Sequence, residues 1–97
     1  MSSNIGTCDI PWDKVGVVYA GVQKNLGISG CTVIIVREDL LGHKAPDTPI
    51  LADWQEFENS PDTYYNTPAV WPMYITGLNV AYMNQMGGLD YYKLMAR

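Results

Sequence analysis

The sequence predicts an α/β fold in which two sheet strands are followed by a long loop and then by a long buried helix. Three features predict this order: two short β-branched runs, a proline-rich middle and a later apolar stretch with helical spacing. The 97 residues fit one small domain. Because two strands cannot make a stable sheet alone, we expect the chain to be part of a larger α/β layer.

Composition and charge argue against several classes of function. The formal net charge of −4 and the isoelectric point near 4.6 do not suit a nucleic-acid surface, which needs a basic stripe. No apolar stretch is long enough to span a bilayer, and the first residues lack the features of a signal peptide. Cys8 and Cys31 have no CxxC spacing, so we expect no metal site and favour free thiols in a reducing cytoplasm over a disulfide.

The two strands are predicted from short runs rich in apolar residues. GVVYAG (16–21) is bounded by glycines, which is typical of a buried strand. TVIIV (32–36) contains four consecutive apolar residues without alternation, so it predicts a strand covered on both faces. REDLLG (37–42), which follows, predicts a single helical turn closed by Gly42.

A long, mostly irregular connection is predicted for residues 43–68, which contain four prolines and many turn formers. We expect a short extended piece near residues 50–54. Connections of this length are usually functional or disordered. Four aromatic residues favour an ordered connection: Trp54, Phe57, Tyr64 and Tyr65.

The stretch from 69 to 86 has the spacing of a helix. Tyr74, Leu78 and Tyr82 repeat every four residues, and apolar residues occur almost all round the predicted helix. This pattern predicts a largely buried helix. The two glycines at 87–88 are expected to end it with a left-handed cap.

The beginning of this helix is predicted from its prolines. Thr67 is expected to cap the helix and Pro68 to occupy its first turn. Pro72 cannot lie deep inside without removing a backbone hydrogen bond, so the regular helix is predicted to begin near Trp71. Residues 89–97 predict the start of a further helix.

A specific pattern surrounds the single lysine after the first predicted strand. In YAGVQKNLGISGCTVIIVREDLLG (19–42), Lys24 lies between two amides and ahead of Gly27. This stretch closely resembles the lysine segment of the phosphoserine aminotransferases, which are fold-type I enzymes of serine biosynthesis that use pyridoxal phosphate (PLP). YYNTPAVWPMYITGLNVAYMNQMGG (64–88) resembles a second family segment, in which Y-N-T-P-P precedes an apolar helix and a double glycine. The resemblance covers essentially the whole chain, as a segment of the family's large domain.

The resemblance implies roles for four residues. Lys24 matches the lysine that forms the Schiff base with PLP and moves a proton between the substrate α-carbon and the cofactor. Gln23 matches a residue beside the cofactor phosphate. Asn66 and Thr67 match the pair that reaches the phosphate of the neighbouring subunit's cofactor. PLP is therefore the implied cofactor, and a homodimer with a shared site is the implied assembly.

These residue types suit that chemistry. A Schiff-base lysine must be a free amine at working pH, which burial and a nearby cation favour, so we expect Lys24 to lie in a sheltered pocket. The amide and hydroxyl donors of Gln23, Asn66 and Thr67 can hold a phosphate, and a helix start at Thr67 would add its dipole. Without the resemblance, Lys24 is interpreted as a solvated surface residue and Asn66-Thr67-Pro68 as an ordinary helix cap.

As a single partial domain, the chain is predicted to contain the lysine segment (16–42), a connecting loop (43–68) and a helical segment (69–97). The implied reaction is transamination between 3-phosphohydroxypyruvate and glutamate, with phosphoserine and 2-oxoglutarate as the other small-molecule substrates. The implied location is the cytoplasm. No nucleic-acid or membrane partner is expected.

Some family features fall outside the sequence, and others differ within it. By register, the aspartate that pairs with the pyridine nitrogen falls directly ahead of Met1. The family's S-R-P triplet is Thr7-Cys8-Asp9 here, and its second N-T-P-P proline is Ala69. We therefore expect the isolated chain to be inactive. Two alternatives stay open: a non-catalytic truncated form that associates with full-length subunits, and a small binding domain that uses the scaffold without PLP.

Overall fold

The computed structural model describes residues 1–96, which form two compact units. The first unit comprises Met1–Ile35 and the chain from Ala69 onward, and the second comprises Val36–Pro68. In chain order, the regular elements are β1 (Val17–Gly21), β2 (Thr32–Val36), α1 (Trp54–Glu58), α2 (Val70–Gln85) and α3 (Gly88–Met95). The predicted α/β class is confirmed.

The two strands pair in one two-stranded sheet and lie where the sequence predicts them. In β1, Val18 and Ala20 are buried while Tyr19 between them is 67% exposed, so β1 has one covered face. The prediction that β2 is covered on both faces is wrong, because Ile34 and Ile35 are 45% and 42% exposed. Neighbouring strand residues point to opposite faces, so both faces of β2 lack full cover.

A small apolar core holds the first unit together. Its buried members are Ile5, Ala20, Val22, Leu26 and Met83. They come from the amino-terminal segment, from β1, from the turn after β1 and from α2, so the core joins the chain's beginning to its long helix. Each buried aliphatic side chain contributes about 1.5–3 kcal/mol, so a cluster of this size gives modest stability.

The beginning of α2 differs from the prediction in its cap. Ala69 occupies the N-cap position without a side-chain hydrogen bond, so the predicted cap by Thr67 is wrong. The helix begins at Val70, and Pro72 lies in its first turn, where a missing backbone N–H removes no helical hydrogen bond. At the other end, Gly87 has a φ of 115°, so the predicted left-handed glycine is confirmed.

The prediction that α2 is largely buried is also wrong. Met83 is its one buried residue among the residues that the structure describes. Six large apolar side chains of α2 are exposed: Val70, Trp71, Tyr74, Leu78, Val80 and Tyr82. A helix with apolar residues all round is buried only where neighbouring elements cover every side. The first unit covers only one face of α2, so the other apolar side chains stay exposed.

The covered face of α2 contains Pro72, Thr76, Asn79 and Met83, spaced by four, three and four residues. Glycines of the amino-terminal part of the chain meet it closely. A Cβ atom on Gly27 would overlap Thr76 Oγ1 and lie 3.2 Å from Thr76 Cα. Gly30 lies against Pro72 and Gly6 against Met83 in the same way. The backbone therefore packs directly on α2.

A further helix, α3, follows Gly87. α3 begins at Gly88 and ends at Met95, which confirms the predicted further helix; Arg97 lies outside the described residues. Lys93 of α3 forms an ion pair with Asp9. That pair raises the pKa of Lys93, chiefly through the hydrogen bond from its ammonium to the Asp9 carboxylate.

The second unit contains more regular structure than predicted. A 3₁₀ turn at Glu38–Leu40 precedes Gly42, as expected. The extended piece predicted near 50–54 is wrong, because a 3₁₀ turn at Ile50–Ala52 leads into α1. Another such turn covers Pro61–Thr63, and the rings of Phe57 and Tyr65 have centroids 6.1 Å apart.

Asp53 explains why α1 begins at this point. Its Oδ1 accepts the backbone N–H of Gln55 at 3.1 Å, which is an N-cap hydrogen bond. Its Oδ2 pairs with Lys44 Nζ at 2.8 Å, and the Asp53 side chain is only 7% exposed. The hydrogen bond from Lys44 holds the pKa of Asp53 below its usual value, and the Gln55 N–H acts in the same direction against the effect of burial.

We expect Gly27→Ala to destabilise the first unit, because its methyl group would meet the Thr76 backbone. Gly77→Ala is the matched control, since a Cβ on Gly77 meets nothing within 4 Å and alanine favours a helix interior by about 1 kcal/mol. Urea unfolding followed by circular dichroism measures both. Equal effects of the two substitutions would contradict the close packing at Gly27.

We expect the second unit to lose stability in acid. The pKa of Asp53 in the folded chain lies below its ordinary value of 3.8, so the ion pair stabilises fully above pH 3.8 and its contribution disappears as the pH falls through the lowered value. Asp53→Asn keeps a capping oxygen but removes the charge, so the difference between the two proteins should vanish in strong acid. Urea titrations monitored by NMR resonances of α1 test this, with exposed Asp47→Asn as control.

Candidate functional site

Lys24 lies in the tight turn that follows β1, residues 22–27, which we call the lysine turn. The Val22 N–H donates to the Cys31 carbonyl at 3.2 Å. The Val22 carbonyl accepts the N–H groups of Leu26 at 3.1 Å and Gly27 at 2.8 Å. Val22 and Leu26 are buried, whereas Gln23 and Lys24 between them are exposed. The turn therefore anchors its ends in the core and projects the glutamine and the lysine outward.

Two side-chain amides connect the lysine turn to the rest of the first unit. Asn25 Nδ2 donates to the Ile5 carbonyl at 3.1 Å. Asn79 Nδ2, on the covered face of α2, donates to the Asn25 carbonyl at 3.0 Å. The residue next to Lys24 is thus connected both to the amino-terminal segment and to the long helix.

Gln23 folds back over the end of β1. A Cβ atom at Gly21 would overlap Gln23 Oε1 and lie 3.1 Å from Nε2, so the amide occupies the space that a side chain at residue 21 would need. Gln23 and Lys24 are adjacent on one exposed turn, so the structure places these two predicted site residues together.

The expectation that Lys24 lies in a sheltered pocket is wrong for the residues described. Its side chain is exposed, and within its own unit no described residue hydrogen-bonds or pairs with its Nζ. The apolar ends of the turn are buried in the core, whereas no other part of the first unit covers the Lys24 side chain. The amine is nevertheless accessible and is not committed to a carboxylate, which is what condensation with an aldehyde requires. In this chemical respect Lys24 fits PLP.

The other two predicted residues, Asn66 and Thr67, belong to the second unit. Both are exposed and lie in irregular backbone just before the unit ends at Pro68. Thr67 does not cap α2, so the expected help from a helix dipole at Thr67 is absent. Their amide and hydroxyl groups are available as donors, and their role at a phosphate stays a prediction.

The second unit also contains a pocket of about 200 Å³. Its lining includes His43, Lys44, Trp54 and Gln55, but none of the predicted site residues. Lys44 is already paired with Asp53, which raises the pKa of Lys44 through their hydrogen bond. Among residues 1–96, no group of three or more His, Cys, Asp or Glu side chains could hold a metal ion, and no helix is long and apolar enough to cross a membrane.

The roles of Asn25 and Asn79 around the lysine were not predicted from the sequence. In the sequence, Asn25 stands out only as an amide beside Lys24. Asn79 stands in a largely apolar helix, three residues after Thr76, and this pair of polar side chains on one helical face is the available signal. Its partner could not be read from the sequence, because the two residues are 54 positions apart.

Comparisons with known proteins agree on one family. No family model matches the chain. A phosphoserine aminotransferase from Janthinobacterium sp. (strain Marseille) is 45% identical over 89 residues, which cover 92% of this chain and 24% of that protein. A solved structure of PLP-bound phosphoserine aminotransferase from Trichomonas vaginalis is 34% identical, has a TM-score of 0.85 and is matched over 98% of this chain and 26% of its own.

A second solved structure, which concerns radiation damage of the Schiff base in phosphoserine aminotransferase, has a TM-score of 0.86 and 33% identity, again over 98% of this chain and 26% of its own. The fold therefore corresponds to a part of an α/β aminotransferase. More specifically, the resemblance read from the sequence is confirmed: the chain matches one segment of the phosphoserine aminotransferases. It spans about a quarter of the length of the relatives that it matches.

Proposed function

We propose that this chain contributes the lysine segment of a PLP-dependent phosphoserine aminotransferase. One observation carries the proposal: an accessible lysine amine projects from a turn held in a fixed place, in a chain similar along nearly its whole length to such enzymes. One solved relative is PLP-bound and another concerns a Schiff base, which supports PLP as the cofactor of this segment too.

In the proposed site, the chain's own residues bind, orient and move a proton. Lys24 would hold PLP through the cofactor aldehyde, and its free amine would move the proton between the substrate α-carbon and the cofactor. Gln23 Nε2 would donate to the phosphate of the cofactor. Asn66 and Thr67 would donate to the phosphate of a neighbouring subunit's cofactor. PLP itself supplies the electron sink for the carbanion.

The whole reaction is transamination between 3-phosphohydroxypyruvate and glutamate in serine biosynthesis, in the cytoplasm. These finer assignments rest on the family and not on contacts within the chain. We further propose that the 97-residue chain alone does not turn over, because Lys24 is exposed and a Schiff-base lysine needs shelter from water. Shelter must then come from other residues of an assembled enzyme.

The exposed side of α2 supports an assembly with a second copy. Trp71, Tyr74, Leu78 and Tyr82 form an apolar stripe at helical spacing, and each of these side chains is more than half exposed. The rings of Trp71 and Tyr74 have centroids 5.9 Å apart, so the stripe is contiguous there. Contiguous exposed apolar stripes usually mark association sites. The same stripe favours the alternative of a non-catalytic form that associates with full-length subunits.

Reductive trapping tests the cofactor proposal. The chain is incubated with PLP, reduced with borohydride and mapped by mass spectrometry. We expect the Lys24 adduct to exceed the adduct at exposed Lys14 by roughly ten-fold, because one extra hydrogen bond to a charged phosphate has about that effect. Lys24→Ala should remove most of the adduct, and Lys14→Ala should not.

The same samples should form no glutamate from phosphoserine and 2-oxoglutarate. An equal distribution of adduct over the lysines would contradict the cofactor proposal. Turnover that disappears in Lys24→Ala would confirm the cofactor role but contradict the proposed inactivity of the chain alone.

Sedimentation velocity tests association. We expect the weight-average sedimentation coefficient to rise with concentration, and Leu78→Glu to weaken this association by roughly ten-fold or more, because a charge would be buried in the apolar stripe. Asn84→Glu, on an exposed position of the same helix, is the matched control. A monomer at every concentration would contradict the proposed assembly.

A further inference from the structure

The lysine turn receives one side-chain hydrogen bond from α2, and it comes from Asn79. The Asn79 Nδ2 atom lies 3.0 Å from the Asn25 carbonyl oxygen and 4.0 Å from Met83 Sδ. Both neighbours accept hydrogen bonds, so the orientation of the amide is fixed with its nitrogen toward the turn. The contact is partly buried, which makes a missing donor costly for the carbonyl.

We propose that Asn79 is a positioning residue for Lys24: its amide fixes the backbone from which the lysine amine projects. This inference rests on the proposed function, since it concerns how the lysine meets a PLP aldehyde. Asn79 does not touch Lys24 itself. It acts on the next residue, Asn25, whose side chain is tied in turn to the Ile5 carbonyl.

The backbone is held on both sides of Lys24. On one side, Val22 is fully buried and its backbone N–H is bonded to Cys31. On the other side, Asn25 is held through both its carbonyl and its side-chain amide. Only Gln23 and Lys24 lie between these anchors, so removing the Asn79 donor loosens the turn on the lysine side, where the bond to Ile5 remains.

Release of that anchor affects chemistry more than it affects folding. A reacting group displaced by about 1 Å can lose roughly 100-fold in rate, because the productive geometry is narrow. Without the Asn79 amide, Val22 and Leu26 still have the apolar core and the backbone hydrogen bonds of the turn to hold them, so we expect the fold to persist. Catalytic groups commonly need such support from residues that touch no substrate.

Two variants of equal size remove the donor: Asn79→Leu and Asn79→Asp. We expect the ratio of reductively trapped PLP at Lys24 to that at Lys14 to fall roughly ten-fold in both, to near parity. Asn79→Gln keeps an amide donor and should retain at least half of the preference. Asn84→Leu, on an exposed position of α2, should leave the ratio unchanged.

A measurement on the unaltered chain accompanies the variants. A through-hydrogen-bond scalar coupling between Asn79 Nδ2 and the Asn25 carbonyl carbon should be detectable by NMR. Its absence would overturn the proposal even if a variant failed to fold. Far-ultraviolet circular dichroism establishes which variants are folded and can be compared.

The outcomes separate this inference from the proposed function. A ratio that survives Asn79→Leu and Asn79→Asp overturns the positioning role and leaves the cofactor role of Lys24 intact. The positioning role is also overturned if the ratio falls equally in Asn84→Leu, or if Asn79→Gln does not retain it. In either case the loss does not depend on the amide donor at residue 79. An unaltered chain without any preference for Lys24 contradicts the proposed function, and the positioning role with it.

Discussion

The close contact between α2 and the lysine turn is the constraint on which the first unit depends. Gly27 lets the backbone of the turn lie against Thr76, and one helical turn away Asn79 donates to the Asn25 carbonyl. Its hydrogen bond joins residues 54 positions apart, and it holds the backbone from which the lysine projects. Burial of Val22 and Leu26 stabilises this contact, and Gly27, Asn25 and Asn79 fix the position of the lysine turn along α2.

Local patterns in the sequence predict the elements of this fold well. The β-branched runs mark both strands, because strand spacing and branching are properties of neighbouring residues. The paired glycines at 87–88 mark the end of α2, because a left-handed backbone favours glycine. The α1 helix is missed although Asp53 is a local N-cap signal, because prolines and turn formers dominate this part of the sequence and the Lys44 pair that holds Asp53 lies nine positions away.

Burial is where prediction from the sequence fails. The apolar pattern of α2 and the unbroken run of β2 predict cover on all sides, yet Ile34, Leu78 and their neighbours are exposed. An apolar pattern of this kind is typical of a segment that other surfaces cover, including surfaces that other parts of an assembly provide. The exposed lysine has the same explanation: the family resemblance identifies Lys24 and Gln23, while the shelter that PLP chemistry needs is not a property of these residues.

The arrangement of α2 has a thermodynamic consequence. Its covered face presents the buried Met83 beside a proline, a threonine and an asparagine, while six of its large apolar side chains already lie in water. Unfolding of α2 therefore hydrates little additional hydrocarbon, so we expect the heat-capacity increment and the denaturant m-value of this chain to be small for its length. We expect its thermal unfolding to be correspondingly broad, and sharper where another surface covers the exposed side of α2.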